Sequence, residues 1–415
     1  MLYSNEASAL SNARAAAEGS SVTRAAPQIL AVARPVLTAA IILAVLIAGG
    51  RLDAPAYAAG TGARPGTLLH VQPMSGAPDG ALAWRILYSS TGLSGEPIPV
   101  SGVVIVPAAP APPDGRPVVA WAHPTTGVVS RCAPSLARVF FASVQGLRDM
   151  LARGYVVTAT DYPGLGTPEI HPYLVGVSEG RAVLDSVRAA RQVPGADAGP
   201  RYAVWGHSQG GHAALYAGLL AQQYAPELLL VGIAVAAPAT NLGTLMNDDL
   251  GTGGGNNITA MTLWSWSRIY GAPITSVVTP QALPAINHLA GLCIERWFDL
   301  LTRRGPTRAL ERSFLSADNL SSIEPWRGLL AENSPGPLPP SIPVFVAQGT
   351  ADTLVRPAVT AAYVHSLCRG GSKVRFDVMQ GVGHAFIARD AAHDAVAWMA
   401  SRFGGGSPAD DCGRT

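Results

Sequence analysis

The sequence predicts an α/β fold in which helices flank a mostly parallel β-sheet and a helical segment is inserted between two strands. Two observations support this prediction. Short apolar runs of strand length alternate with segments of helical periodicity, and Gly and Pro residues separate them. A long interval late in the chain breaks this alternation. With 415 residues the chain can form one large domain with an insertion or two ordinary domains.

Eight apolar segments are predicted to form the strands of the sheet. They lie at residues 84–90, 99–107, 118–122, 155–160, 202–205, 228–236, 344–348 and 374–379. The predicted helices lie at residues 140–153, 178–192, 212–223 and 390–403. Strands that alternate with helices in this way are typical of the βα units of a parallel sheet.

The N-terminal region has the pattern of a secretory signal. Several arginines precede an uncharged apolar run at residues 35–50, and the small-x-small sequence Ala56-Tyr57-Ala58 follows. The apolar run is shorter than the roughly 20 residues that span a bilayer comfortably. We therefore expect a secreted protein that is cleaved near Ala59. A retained N-terminal anchor, with the rest of the chain outside the cytoplasm, is the alternative.

Residues 241–337 show no pattern of a core strand. This interval contains a Gly- and Asn-rich turn and helical segments that prolines interrupt. About a hundred residues are too many for a loop inside a compact domain, so we expect an inserted helical cap. The predicted organisation is an export region, a first core part, this cap and a second core part, at residues 1–58, 59–240, 241–337 and 338–415.

Composition excludes one class of partner and suggests disulfide bonds. The net charge is only +2 and the basic residues do not cluster, which excludes nucleic-acid binding. An even number of cysteines in an exported chain favours two disulfides over a metal site, and none of the four has C-x-x-C spacing. Three ways of pairing them are open from this argument. The cysteines are Cys132, Cys293, Cys368 and Cys412.

The sequence Gly206-His207-Ser208-Gln209-Gly210 matches the G-x-S-x-G pattern of a nucleophile elbow. This pattern requires a strand before the serine and a helix after it, and the segments predicted at 202–205 and 212–223 supply both. Glycines at such a turn let the strand and the helix approach closely. Ser208 is therefore the predicted nucleophile. The alternative is a chance match in a chain with 45 glycines.

A nucleophilic serine needs a histidine to remove its proton and a carboxylate to orient that histidine. In proteins with this elbow the chain order is Ser, then Asp or Glu, then His. His384, in a glycine-rich turn between the last strand and the last helix, is the predicted base. Asp352, just after the strand at 344–348, is the predicted acid. Asp377 is the rival but lies within a strand pattern, and Asp318 falls in the cap.

The oxyanion of an acyl-transfer intermediate is normally stabilised by two backbone N–H groups. One is predicted from Gln209, directly after the nucleophile. The other is predicted from the loop at residues 123–127, where Pro124 has no N–H to offer. Thr125 is the first candidate and Thr126 the second. The alternative is that this loop is an ordinary turn at a strand end.

Aromatic residues of the cap are candidates for an acyl-binding surface. If the cap covers Ser208, burial of methylene groups against apolar side chains favours long acyl chains. The alternative is that these side chains form the interior of the cap itself. The residues predicted to bind substrate are Trp264, Trp266 and Tyr270, with Ile274, Val277 and Val278 beside them.

Further motifs accompany the elbow in a fixed order. They are Trp121-Ala122-His123-Pro124-Thr125-Thr126-Gly127, Cys132-Ala133-Pro134-Ser135, Thr160-Asp161-Tyr162-Pro163-Gly164-Leu165-Gly166, His171-Pro172-Tyr173 and Gln348-Gly349-x-x-Asp352. Together with the elbow, this set resembles the secretory lipase family, the lipase A type, of the α/β-hydrolases. The resemblance covers residues 65–412, and its most specific part is the order of the elbow and the Asp-Tyr-Pro-Gly-Leu-Gly loop.

The resemblance implies a secreted lipase or esterase without a metal cofactor, with a helical lid over the acyl site. Its triad corresponds to Ser208, Asp352 and His384. Its disulfide pattern pairs Cys132 with Cys293 and Cys368 with Cys412. Pro124 is a departure, because related hydrolases often have glycine there.

The predicted function is that of an exported serine carboxylic-ester hydrolase, a lipase that cleaves acyl esters of the triacylglycerol type without any cofactor. An esterase, acyltransferase or amidase acting on small soluble substrates is the enzymatic alternative. A non-catalytic hydrolase-like binding module is the alternative from another class. We expect a lipid or ester as substrate, transient contact with a lipid interface, no nucleic-acid partner and a monomeric protein.

Overall fold

The computed structural model describes residues 62–248, 250–295, 299–317 and 319–414. The predicted export region and Asp318 therefore lie outside the described residues. In the part of the chain that is described, none of the helices combines the length and the apolar character that crossing a bilayer requires.

One β-sheet of nine strands, in the order β1-β2-β3-β5-β4-β6-β7-β8-β9, is formed by the described residues. The strands are β1 (Leu68–Pro73), β2 (Ala81–Thr91), β3 (Pro97–Pro107), β4 (Arg116–Ala122), β5 (Val156–Thr160), β6 (Ala198–His207), β7 (Leu229–Ala236), β8 (Val344–Gly349) and β9 (Val374–Met379). Strands β4 to β9 run parallel, whereas β1, β2 and β3 extend one edge in antiparallel pairing. The predicted α/β class with a mostly parallel sheet is confirmed.

Helices pack on both faces of the sheet. They are α1 (Phe140–Ser143), α2 (Leu147–Ala152), α3 (Gly176–Ala190), α4 (Gln209–Tyr224), α5 (Leu242–Asp248), α6 (Gly253–Ile269), α7 (Leu283–Ala290), α8 (Asp299–Arg312), α9 (Trp326–Glu332), α10 (Pro357–Arg369), α11 (Ile387–Asp390) and α12 (Ala392–Phe403). Short 3₁₀ turns lie at Ser130–Cys132, Pro134–Leu136, Ile274–Ser276, Pro280–Ala282 and Leu320–Ser322.

The central strands are largely apolar because both of their faces are buried. Alternate residues of a strand point to opposite faces. Val118 and Ala120 of β4 accordingly belong to the core layer that contains α3, α4 and α10, whereas Val119 and Trp121 belong to the layer that contains α1, α2 and α12. Strands buried on both sides are typical of parallel sheets.

The structure differs from the sequence-based prediction at two places in the core. The sequence does not predict β1, whose residues are half-buried or exposed and pair only with β2 at the sheet edge. The single helix predicted at 140–153 is divided into α1 and α2, because Gly146 between them has a left-handed φ of 79°. An α-helix cannot continue through that conformation.

Between β7 and β8 the described residues form α5 to α9 and one isolated bridge, Val278 with Leu315. Side chains of this segment, such as Ala260 and Trp266, belong to the same apolar core layer as α12. The helical content is what an inserted cap requires. The boundaries at 241 and 337 stay a prediction.

Both disulfides follow the pairing that the family resemblance implies. Cys132 and Cys293 have Cα atoms 5.2 Å apart, and this bridge joins the loop region after β4 to the helical segment. Cys368 and Cys412, with Cα atoms 5.4 Å apart, join α10 to the C-terminal residues. All four cysteines of the sequence are therefore paired.

Candidate active site

Ser208 occupies a sharp turn between the end of β6 and the start of α4. Its φ and ψ angles are 57° and −117°, a region that L-residues rarely adopt. A Cβ atom on Gly206 would collide with the carbonyl oxygen of Gly210, and one on Gly210 would collide with that of Ala122. The elbow pattern therefore needs both glycines, because the strand and the helix approach too closely for any other residue.

Ser208, His384 and Asp352 form one continuous chain of hydrogen bonds. His384 Nε2 lies 2.9 Å from Ser208 Oγ, and His384 Nδ1 lies 2.8 Å from Asp352 Oδ2. The three residues follow β6, β9 and β8, so the carboxyl ends of parallel strands bring them to one edge of the sheet. The structure thus brings together the three side chains that the sequence predicts as a triad, in the geometry of such a triad.

The environment of Asp352 keeps its carboxylate ionised. Burial alone would raise the pKa of Asp352, but hydrogen bonds from His384 and from the backbone N–H groups of Leu354 and Val355 outweigh it, so the pKa lies below its ordinary value. The rival Asp377 lies on β9, and its carboxylate is 4.0 Å from the guanidinium of Arg375. Burial raises the pKa of Asp377 above its ordinary value.

His207, at the variable position of the elbow, has a role that the sequence does not predict. Its Nε2 lies 3.0 Å from the carbonyl oxygen of His384, and burial lowers the pKa of His207 to about 3. The neutral ring therefore donates a hydrogen bond to the backbone of the turn that carries His384. His207 fixes this turn relative to the nucleophile. No signal in a single sequence distinguishes it from any other residue at that position.

Both predicted oxyanion donors lie beside Ser208. Gln209 is the first residue of α4, where N–H groups have no partner within the helix and the helix dipole favours negative charge. Thr125 and Gln209 line the same cavity as Ser208. The carbonyl oxygen of Thr126 instead accepts a hydrogen bond of 2.8 Å from the backbone N–H of Ile294. Of the two threonines, the structure brings Thr125 to the cavity.

The Asp-Tyr-Pro-Gly-Leu-Gly loop supports the loop that carries Thr125. The buried carboxylate of Asp161 accepts hydrogen bonds from the hydroxyl of Ser101, at 2.6 Å, and from the backbone N–H of Ser135, at 2.8 Å. The hydroxyl of Tyr162 donates to the carbonyl oxygen of His123 at 3.2 Å. This motif therefore holds the geometry of the site without lining its cavity.

A small, partly open cavity lies beside Ser208. Its volume is about 40 Å³, which is room for a few water molecules. Helices α5 and α6 form one side of it. Its apolar or weakly polar wall on that side consists of Leu242, Leu245, Met246, Gly255, Ile258 and Thr259.

The structure does not bring Trp264, Trp266 and Tyr270 to this cavity, where the sequence analysis expects them. Trp266 is fully buried, and its Nε1 donates to the carbonyl oxygen of Tyr173 at 2.8 Å. Trp264 packs against Arg268, and the hydroxyl of Tyr270 accepts a hydrogen bond from Asn333. The helical periodicity of the sequence predicts which face of α6 is buried, but not which part of the protein packs against that face. The amino-terminal half of α6 lines the cavity, whereas Trp264 and Trp266 lie in its carboxyl-terminal half and Tyr270 follows its last residue.

A buried polar network lies directly behind the elbow. Glu179 accepts a hydrogen bond of 2.7 Å from Gln209 Nε2, and its Oε2 lies 3.0 Å from His212 Nδ1. His212 Nε2 donates to the carbonyl oxygen of Asn333 at 2.8 Å. Glu179 and His212 are both fully buried. This network connects the helical segment to the first residue of α4, and no motif of the sequence predicts it.

Comparison with known proteins places this site in a family. The model of the family described as secretory lipase matches residues 142–411 of the chain. The protein belongs to the secretory lipase family. A member of this family is a carboxylic-ester hydrolase with lipid or ester substrates, and secretion is characteristic of it.

One relative of this secretory lipase is named as a lipase and another as an inactive lipase. A secreted triacylglycerol lipase of Malassezia globosa is 27% identical over 84% of the chain and 78% of that relative. A protein of Mycobacterium tuberculosis named probable inactive lipase is 26% identical over 82% of the chain and 79% of that relative.

Solved structures show the same fold. Candida antarctica lipase A, in a structure described as its closed state, aligns with a TM-score of 0.69 and 19% identity over 85% of each chain. The similarity shows the α/β-hydrolase fold of the secretory lipase.

Proposed function

We propose that this secretory lipase hydrolyses acyl esters through the triad of Ser208, His384 and Asp352 and an acyl-enzyme intermediate. The observation that carries the proposal is the continuous hydrogen-bonded chain from Ser208 Oγ through His384 to Asp352, with distances of 2.9 and 2.8 Å. A serine hydroxyl becomes a nucleophile when a histidine accepts its proton at hydrogen-bond distance.

Each group has a defined role in the proposed reaction. Ser208 Oγ attacks the ester carbonyl while His384 Nε2 accepts its proton, and Asp352 stabilises the resulting imidazolium. The N–H groups of Gln209 and Thr125 stabilise the oxyanion. His384 then protonates the leaving alcohol, and the acyl group remains on Ser208. Water, deprotonated by His384, releases the acid and restores the enzyme.

One observation supports the alternative of a non-catalytic protein, because a relative is named a probable inactive lipase. A binding module is free to lose a triad member or the hydrogen bonds between its members. Here all three side chains are present and bonded, and Ser208 retains the strained backbone angles of a nucleophile elbow. These features favour an active enzyme. A purified protein that turns over no nitrophenyl ester would instead support the binding module.

We further propose that α5 and α6 act as a lid over an acyl-binding site. The cavity of about 40 Å³ has room for a few water molecules, and a movement of the two helices would enlarge it for a long acyl chain. The wall that they present to the cavity is largely apolar. Each methylene group buried against it contributes about 0.8 kcal/mol. This gain in free energy on binding long acyl chains favours a lipase over an esterase, acyltransferase or amidase acting on small soluble substrates.

Chain-length preference tests the acyl-binding wall. We expect the specificity constant of the parent enzyme to rise from acetyl to octanoyl nitrophenyl esters, because each added methylene gains about 0.8 kcal/mol of burial. Ile258→Trp should narrow the site and lower the ratio of octanoyl to acetyl hydrolysis by about tenfold or more, since the larger side chain displaces several methylene groups.

The matched control for Ile258→Trp is Trp264→Ala on the same helix, because Trp264 packs against Arg268 and does not line the cavity. This variant should keep the parental ratio. A parent that prefers acetyl esters would contradict the acyl-binding wall. A ratio that changes with Trp264 but not with Ile258 would contradict it equally.

The last features of the proposed function are the export of the protein and its oligomeric state. We propose cleavage near Ala59, transient contact with lipid interfaces and a monomeric mature enzyme, with a retained N-terminal anchor as the alternative. The intact mass of the exported, unreduced protein should equal that of a chain starting near Ala59, less two hydrogens for each disulfide. Reduction should restore those hydrogens. A mass that includes the apolar run at 35–50 would support the anchor, and free thiols before reduction would contradict the bridges.

A further inference from the structure

Two hydroxyl groups meet at the edge of the cavity that contains Ser208. Thr125 Oγ1 and the hydroxyl of Tyr173 lie 2.8 Å apart, and both residues line the cavity. Two hydroxyls carry two hydrogens, and the bond between them uses only one. One O–H of this pair is therefore left for an acceptor in the cavity, next to the predicted oxyanion donors.

The direction of this hydrogen bond decides which hydroxyl hydrogen is left for the cavity, and either hydroxyl can be the donor. Burial raises the pKa of Tyr173 well above its ordinary value of 10, so the phenol stays protonated. A protonated phenol can donate to the oxygen of an aliphatic alcohol. With Tyr173 as the donor to Thr125 Oγ1, the hydrogen of Thr125 is available to an acceptor in the cavity.

Tyr173 is held in place by helix α6. Its backbone N–H donates to Ser265 Oγ at 3.1 Å, and its carbonyl oxygen accepts from Trp266 Nε1 at 2.8 Å. Its side chain is almost completely buried. The phenol is thus a fixed donor whose position does not depend on solvent.

We propose that Thr125 donates two hydrogen bonds to the oxyanion, one from its backbone N–H and one from its hydroxyl, and that Tyr173 is the positioning residue that orients this hydroxyl. The inference rests on the proposed function of the same site. In this arrangement both donors of Thr125 serve one acceptor, the oxyanion formed at Ser208. No proton is transferred, because the O–H bond of Thr125 stays intact. The bond strengthens as negative charge develops on the carbonyl oxygen, so it acts on the transition state more than on the bound ester.

Valine in place of threonine removes the hydroxyl while keeping the backbone N–H and the shape of the side chain. Thr125→Val should lower kcat by about 100-fold, the effect of losing one oxyanion donor, and leave KM nearly unchanged. Acylation and deacylation both pass through an oxyanion, so kcat falls whichever step limits it. Thr125→Ser keeps the hydroxyl and should retain most of the activity. A trifluoromethyl ketone, which forms an oxyanion on Ser208, should bind Thr125→Val more weakly by a similar factor.

A double-mutant cycle separates positioning from a merely structural role. Tyr173→Phe should lower kcat about three- to tenfold, because the hydroxyl of Thr125 loses its orientation without being removed. In the Thr125→Val background the same change should have no further effect. Thr158→Val and Tyr216→Phe are the controls, since each removes a buried hydroxyl that bonds a carbonyl oxygen away from the cavity. Both should keep the parental kcat per folded enzyme.

Titration of Ser208 with a fluorophosphonate gives the concentration of competent sites in every variant. A Thr125→Val enzyme with the parental kcat would overturn the inference, as would equal losses from Tyr173→Phe in both backgrounds. If Thr125→Val does not fold, Thr125→Ala makes the same test. A parent that neither hydrolyses esters nor takes the label would contradict the proposed function itself, which is a different outcome.

Discussion

Replacement of Ser208 by alanine is expected to lower kcat for ester hydrolysis by about a millionfold, the loss that removal of a triad nucleophile typically causes. Ser208 Oγ is the atom that bonds to His384 and faces the cavity, so no acyl-enzyme forms without it. Alanine accepts the same backbone angles as serine, and we therefore expect the fold to persist. Hydrolysis of a nitrophenyl ester by parent and variant measures the effect.

The control for this change is Ser186→Ala, which removes the hydroxyl of another buried serine. Ser186 lies on α3, and its Oγ donates to the carbonyl oxygen of Val183, away from the cavity. This variant should keep the parental rate. A Ser208→Ala enzyme that retains the parental activity would contradict the assignment of Ser208 as the nucleophile.

Asp352→Asn is expected to lower kcat by about ten-thousandfold while leaving the fold intact, the effect of this change in serine proteases. The carboxylate of Asp352 accepts the hydrogen of His384 Nδ1 and leaves Nε2 free to take the proton of Ser208. The amide of asparagine donates to Nδ1 instead, which places the histidine hydrogen on Nε2. That tautomer cannot act as a base toward Ser208.

Asp377→Asn serves as the control for the acid, because this carboxylate lies on β9 beside Arg375. It should change kcat little. A large loss from Asp377→Asn together with a small one from Asp352→Asn would transfer the role of the acid to Asp377.

Strands and helices were predicted correctly where a local sequence pattern has a single structural explanation. The central strands β4 to β8 are largely buried on both faces, so their apolar runs are nearly continuous and their positions follow from the sequence. The edge strand β1 buries little side-chain surface and leaves no such pattern. The break between α1 and α2 depends on the conformation of Gly146, and glycine also occurs inside helices such as α3.

The active site likewise contains some residues that local motifs identify and others that they do not. The elbow and the order of acid and base along the chain are enough to select Ser208, Asp352 and His384, because parallel strands deliver their carboxyl ends to one edge. The cavity wall is different, since it depends on which turn of α6 faces Ser208. Ile258 and Trp264 lie on one helix, yet only Ile258 lines the cavity. The roles of His207 and Tyr173 arise from contacts between residues far apart in the chain.

Peptide mapping of the parent protein after reaction with a fluorophosphonate tests the central claim most directly. The reagent forms a covalent adduct only with a serine whose proton is removed by a neighbouring base. We predict one adduct per chain, on Ser208, formed at a rate that falls with the loss of His384 in His384→Ala. A protein that takes no label, or that takes it on a different serine at the same rate in both proteins, would contradict the account of an active secretory lipase built on this triad.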